Sequence, residues 1–303
     1  MTNQEYINDF ERYLLTEKRV AKNTFDAYRR DLIQLIDYME QASLACATIT
    51  LQELQAFLVY LRKKNITARS IARKISCTKT FFSFLKQYHG LENHAQSLHT
   101  PTLEKRLPTY LKEQEVERLL ETAHLDTSIH GVRNATMLYL LYATGLRISE
   151  LVSLNVNALD FSQGYITVHG KGNKERIVPL PEHLMQFIEY YLEEIYPQLL
   201  IKDGEHCTTH FLFPTFYAGV LKAMSRQMFW VYLKKIARRA GITNTLSPHM
   251  LRHSLATHLL KKGAHLRSLQ LLLGHEQLTT VQIYTHVETE HLRKIYDKKH
   301  PRS

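Results

Sequence analysis

Apolar residues recur at three-and-four spacing through almost the whole chain, and one stretch, YITVHGKGNKERIVPL, replaces that rhythm with alternation. The first spacing lines up side chains on one face of an α-helix, and alternation lines them up on one face of a strand. The expected fold class is therefore mainly α, with one small β insertion. Ile7, Phe10, Leu14 and Leu15 mark a first helix. Asn23 and Thr24 precede a second, with Phe25, Tyr28, Leu32, Leu35, Ile36 and Met39 on its inner face. Thr50-x-x-Glu53 matches a capping box, in which hydroxyl and carboxylate satisfy free N–H groups at a helix start. Leu54, Phe57, Leu58 and Leu61 form the stripe behind it. Residues 68–89 predict a fourth helix through Ile71, Ile75, Phe81, Phe82, Leu85 and Tyr88, with Gly90 as its stop.

The following LENHAQSLHTPTLEKRLP has no sustained period, and Pro101 and Pro108 restrict its backbone. A boundary falls here: a helical domain over 1–90, a linker over 91–108 and a second domain over 109–303. Val116, Leu119 and Leu120 belong to one helix of the second domain, and Met137, Leu138, Leu140, Leu141 and Tyr142 to another that ends near Gly145. Tyr165 to Val168 then alternate, GKGNK turns, and Ile177-Val178 begin a return strand, a β-hairpin with Lys171 at or near its tip. GKGNK is not a nucleotide loop, because G-x-x-x-x-G-K-[ST] is absent and both flanks are strands. Helical spacing resumes from Leu251 to Leu273.

Lys and Arg outnumber Asp and Glu by 39 to 29, and the resulting charge of +10 favours a polyanionic partner, nucleic acid before membrane. Arg62, Lys63, Lys64, Arg69, Arg73, Lys74 and Lys79 sit among Ser, Thr and Asn in a pattern that suits phosphate contacts, or a solvated face. Cys46, Cys77 and Cys207 are odd in number with no C-x-x-C, which indicates free thiols in a reducing compartment. The start, MTNQEYINDFERYL, is polar and periodic, unlike a signal peptide. No apolar run approaches the roughly 18 residues of a membrane span. A cytoplasmic protein is expected. His249 and His253 have a spacing that zinc can use, but Met250 replaces the Glu of H-E-x-x-H and no third ligand is evident. Neither a metal nor a cofactor is expected.

The chemistry concentrates between Ser247 and His286: His249-x-x-Arg252, then Gly274-His275, then Tyr284, with Arg147 in ATGLRISEL and Lys171 in GKGNKER upstream. Two arginines, two histidines, a lysine and a tyrosine fit attack of a tyrosine on a phosphodiester. Guanidinium forks can hold the charge that grows on the non-bridging oxygens. A phenol is poorly ionised near neutral pH and needs proton removal in an electropositive site.

ATGLRISEL, GKGNKERIVPL, SPHMLRHSLATHLL, LLLGH and YTHV, in this order, resemble the tyrosine recombinases, and RQMFWVYLKKIA and the ending YDKKHPRS bring the chain nearest to the bacterial Xer recombinases. The resemblance covers nearly the whole chain. Glu276, Gln277 and Val281 depart from the commonest pattern without removing a catalytic group. It implies an N-terminal four-helix SAM-like core-binding domain and a C-terminal α-helical catalytic domain with a small β-sheet, able to close around a duplex. It gives Arg147, Arg252 and His275 the scissile phosphate, His249 the part of general base and Lys171 that of general acid. Tyr284 is then the nucleophile, forming a 3′-phosphotyrosine without ATP or a required metal. The implied partners are double-stranded DNA, a tetrameric synapse with a sister recombinase of the XerC type, and the FtsK translocase. The implied role is resolution of chromosome dimers at a dif-like site. Leu292, Ile295 and Tyr296 resemble the family tail that docks into a neighbouring protomer, or form a helix packed on its own domain. A phage or mobile-element integrase with the same chemistry is the alternative, although the helical pattern begins almost at residue 1, which favours Xer. A type IB topoisomerase would relax supercoils alone. A non-catalytic DNA-binding protein would need neither Tyr284 nor the Lys171 hairpin.

Overall fold

The computed structural model describes residues 1–102, 110–170, 175–244 and 246–273. The chain divides into two compact units, Met1–Arg106 and Leu107–Ser303.

The first unit packs α1 (Asn3–Thr16), α2 (Lys22–Gln41), α3 (Leu51–Lys63) and α4 (Ala68–His89) around one core. Each helix turns its apolar stripe inward, and Phe10 meets Phe81 and Phe84 at ring-centroid distances of 5.2 and 5.3 Å. The Thr50 box forms: Glu53 N–H donates to Thr50 Oγ1 at 3.3 Å and Thr50 N–H to Glu53 Oε2 at 2.7 Å. Thr2 and Glu5 build the same device on α1. Gly90 ends α4 at φ 69°, a left-handed turn that glycine adopts without a Cβ penalty.

Four details differ from expectation. Leu15 is exposed, because it sits about 100° round the helix from buried Leu14. Tyr88 is half-exposed, with its hydroxyl donating to Glu17. Helix α2 starts at Lys22 behind Ala21, without a side-chain cap. Ala95 and Leu98, in and after a 3₁₀ turn at His94–Ser97, are buried in this core although they fall in the stretch expected as linker.

The basic cluster also splits. Arg62, Lys63, Lys64 and Arg69 are exposed. Lys74 instead is buried, with Nζ 2.7 Å from buried Asp31, and Arg73 donates to the same carboxylate. A buried ammonium needs a paired acid, so this charge belongs to the packing of α2 on α4. All three cysteines are free thiols, two of them buried.

The second unit opens with α5 (Glu113–His124), α6 (Ile129–Thr144) and α7 (Ile148–Val152). A three-stranded antiparallel sheet follows, β1 (Leu159–Asp160), β2 (Tyr165–His169) and β3 (Glu175–Pro179), in the order β1-β2-β3. Helix α8 (Glu182–Tyr190) runs through a π-helical turn (Tyr191–Ile195) into α9 (Tyr196–Leu199). Two antiparallel hairpins come next: β4 (Ile201–Lys202) with β5 (Glu205–His206), and β6 (Pro214–Tyr217) with β7 (Val220–Ala223). Helices α10 (Arg226–Arg239), α11 (Pro248–Lys261) and α12 (Leu266–Leu273) complete the described part. Helix α6 is buried on nearly every side from Ala135 to Thr144, which makes it the central helix of this core.

The expected hairpin is present, with Ile166 opposite Val178 and Val168 opposite Arg176. Its tip, including Lys171, lies outside the described residues. The helical stretch after Leu251 is two helices: α11 stops at Lys261, Gly263 takes φ 77°, and α12 restarts at Leu266. Among the described residues, no helix is long and apolar enough to cross a membrane.

Candidate active site

The site grows from the end of the central helix. Gly145 closes α6 at φ 62°, Leu146 is buried, and Arg147 becomes the N-cap of α7 in an extended conformation. Glu150, on the first turn of α7, reaches back to it. The Arg147 backbone N–H donates to Glu150 Oε2 at 2.8 Å, and Nη1 donates to Oε1 at 2.9 Å. The same carboxylate takes a bidentate pair from Arg176 on β3, Nη1 to Oε1 at 3.0 Å and Nη2 to Oε2 at 2.8 Å.

Arg252 enters from α11, where its buried guanidinium donates to the backbone carbonyls of Gly145 and Leu273. It thereby ties the end of α6 to the end of α12. Burial draws its pKa down to about 10, helped by the positive charges of Arg147 and Arg176 and opposed by Glu150. It stays charged at neutral pH. Burial pushes the Glu150 carboxyl up, but hydrogen bonds from Arg176 and Arg147 outweigh it and hold the group below the usual carboxylate range. Two guanidinium groups thus hold one carboxylate and a third feels its charge, an excess of positive charge in a partly desolvated place. Such a place attracts a doubly liganded anionic oxygen pair, as on a phosphodiester.

His249 is exposed on the first turn of α11, behind Pro248 at the first helical position and the Ser247 cap, whose Oγ accepts from Met250 N–H at 3.2 Å. It stands three positions before Arg252, so both lie on one side of the helix. Arg147 and Arg252 are therefore brought together, with His249 one turn from Arg252. Lys171, His275 and Tyr284 lie outside the described residues, as do Leu292, Ile295 and Tyr296.

Glu150 and Arg176 escaped the sequence reading. Glu150 carried a faint signal, an acid at the third position of a helix start. Arg176 carried a clearer one: it alternates with Val178 on the inner face of β3, where a cation demands an acid.

A second buried polar chain supports α11. His258 Nε2 lies 2.8 Å from the Leu111 carbonyl and Nδ1 lies 2.9 Å from the Tyr142 hydroxyl. A carbonyl only accepts, so Nε2 carries the proton and Nδ1 accepts from Tyr142. Burial holds the His258 pKa below its ordinary value, against the hydrogen bond to Leu111. Leu111 N–H donates to Ser254 Oγ at 2.8 Å, and Lys261 Nζ donates to Tyr110 Oη at 2.9 Å. Tyr110 and Leu111 are thus strapped along the helix that carries His249 and Arg252.

The model of the phage integrase family matches residues 109–291, and that of the phage integrase N-terminal SAM-like domain matches residues 7–89. The chain belongs to the phage integrase family: it is a tyrosine recombinase, an enzyme of DNA strand breakage and rejoining. Among its relatives, it is 41% identical over 302 residues to tyrosine recombinase XerD of Staphylococcus epidermidis, across 99% of this chain and 98% of that protein. It is likewise 41% identical over 299 residues to tyrosine recombinase XerD of Staphylococcus aureus, across 98% of this chain and 99% of the relative. The Xer resemblance and the mainly helical, SAM-like plus catalytic architecture expected from sequence are both borne out. Two solved structures share the fold. XerH site-specific recombinase bound to palindromic difH substrate, a post-cleavage complex, aligns with TM-score 0.69 at 24% identity over 89% of this chain and 78% of that one. A λ integrase (75–356) dimer bound to a COC′ core site aligns with TM-score 0.67 at 16% identity over 97% and 95%.

Proposed function

We propose that this recombinase cuts and rejoins DNA at a dif-like site and resolves chromosome dimers during segregation. The observation that carries the chemistry is the convergence of Arg147 and Arg252, from the start of α7 and the first turns of α11, on a patch with excess positive charge. These two hold the non-bridging oxygens of the scissile phosphate, joined by His275. Tyr284 Oη attacks phosphorus and its phenolic proton passes to His249. The bond from phosphorus to the 5′ oxygen breaks, and Lys171 gives that oxygen a proton. The chain is left on the 3′ phosphate, its bond energy kept for rejoining, so no cofactor enters a step.

Both the helical N-terminal domain and the catalytic domain bind double-stranded DNA. Four protomers form the synapse, with a XerC-like sister in alternate positions and FtsK as activator, in the cytoplasm. Identity to XerD over nearly the full chain supports this role. So do a neighbour described as XerH bound to difH substrate and another described as a λ integrase tetramer bound to a Holliday junction.

The test is a nicked dif-like duplex that traps the covalent intermediate, with the sister recombinase present. Wild type should give a detergent-stable protein–DNA adduct and Tyr284→Phe none. An adduct from Tyr284→Phe would overturn the choice of nucleophile. Tight binding by wild type without any adduct, with FtsK also added, would overturn cleavage at a dif-like site.

A further inference from the structure

We propose that Arg176 is a positioning residue for strand cleavage. By holding both carboxylate oxygens of Glu150, it keeps that carboxylate from drawing Arg147 into a bidentate pair, so that the Arg147 guanidinium can also engage the scissile phosphate. The inference rests on the phosphate-binding part given to Arg147 above.

Glu150 lies between two arginines. It accepts from Arg147 Nη1 at 2.9 Å and from both Arg176 Nη atoms at 3.0 and 2.8 Å. A carboxylate and a phosphodiester present the same paired oxygens to a guanidinium fork, so they compete for it. A buried carboxylate with one cationic neighbour would draw that neighbour into a full bidentate pair. Arg176 makes this pair in its place.

Stability alone explains Arg176 poorly. It stands on the inner face of the sheet beside Val178 and opposite Val168, both buried. Apolar side chains there would pack without a desolvation penalty, and replacing a buried ion pair by apolar groups is often neutral or stabilising. Arg176 moreover keeps its Nε buried with no hydrogen-bond partner among the described residues. Its two Nη atoms are aimed at Glu150 while Nε goes unsatisfied, an arrangement that favours control of Glu150 over packing. Arg252 also senses both charges, since Glu150 raises its pKa and Arg176 lowers it.

The experiment uses the full chain on a nicked duplex that yields the wild-type covalent adduct. It measures the single-turnover rate of adduct formation at saturating DNA, and the Kd for the intact duplex. Arg176→Gln should slow adduct formation about tenfold to a hundredfold, less than the roughly hundredfold to thousandfold cost of losing a transition-state donor outright, since Arg147 itself remains. Its Kd should stay within about twofold, because affinity is spread over many phosphate contacts. Arg176→Lys should fall between. Adding Glu150→Gln to Arg176→Gln removes the uncompensated carboxylate, and should recover the rate at least about fivefold over Arg176→Gln alone. A double variant no faster than Arg176→Gln, an Arg176→Gln rate equal to wild type, or equal losses in rate and affinity would each overturn the proposal. Arg147→Gln separates the two levels: a wild-type rate in that variant would remove the phosphate-binding assignment itself.

Discussion

Gly145→Ala tests whether the turn after the central helix holds Arg147 and Arg252 in place. Gly145 stands at φ 62°, and a Cβ there would come within 2.6 Å of Leu273 Cδ2 and 3.0 Å of Leu255 Cδ2. An L-residue in the left-handed region costs about 1–2 kcal/mol. Forcing a methyl against packed leucines adds about 1–3 kcal/mol, eased where the Leu273 side chain can swing. The central expectation is a loss of ~3 kcal/mol, or a fall of roughly 6–12 °C in melting temperature for a unit of this size. Trp230, the single tryptophan, lies on α10 in the second unit, so its fluorescence follows the melting of the relevant part. The Gly145 carbonyl accepts from Arg252, so adduct formation should fall as well. Leu273→Ala alone should lose about 2–5 kcal/mol, but it also clears the nearer clash. The two substitutions should therefore combine to less than the sum of their separate losses, by about 1–3 kcal/mol. A melting shift for Gly145→Ala of less than about 2 °C, or strictly additive losses, would refute the reasoning.

Three further outcomes follow from buried polar groups. Asp31→Ala strands Lys74 in the first core and should cost about 3–5 kcal/mol, read from urea unfolding by circular dichroism, with Lys74→Met restoring most of it. Tyr142→Phe leaves His258 Nδ1 buried without a donor and should lower stability by about 1–3 kcal/mol in the Trp230 signal; no change would mean that Nδ1 was not the acceptor. The folded-state pKa of His258 lies below its unfolded value, so the unfolded chain binds the proton more readily. The contribution of His258 is full above about pH 6.5 and is lost as pH falls through the lower folded value. His258→Gln should flatten the melting-temperature slope between about pH 7 and pH 5, and parallel slopes would count against the assignment.

The helices of the first unit were legible because each shows one apolar face to one core, and spacing alone reports that face. The hairpin at Tyr165 was legible from alternation, whereas β1 and β4 to β7 are too short to show a period. Charge misled at Lys74, which a partner 43 residues away in sequence draws inside. Arg147 and Arg252 were singled out by residue type and order, and they do converge. Their setting was not legible, because Glu150 and Arg176 meet across 26 residues through a strand and a helix that are related only in the folded chain.

The strap of Tyr110 and Leu111 on α11 has a consequence for biosynthesis. Its hydrogen bonds to Ser254, His258 and Lys261 span 143, 147 and 151 residues of sequence. Contacts this distant form only after the intervening chain has been gathered in, since closing a long loop costs entropy that local contacts do not. A ribosome releases the strap early and α11 late. Until His258 has emerged, α11 has no clasp, and until Arg252 has emerged, the Gly145 turn lacks the guanidinium that ties it down. A nascent or truncated chain can therefore gather its first unit while Arg147 and Arg252 remain apart, so the setting of these two arginines is assembled only when the second unit is nearly complete.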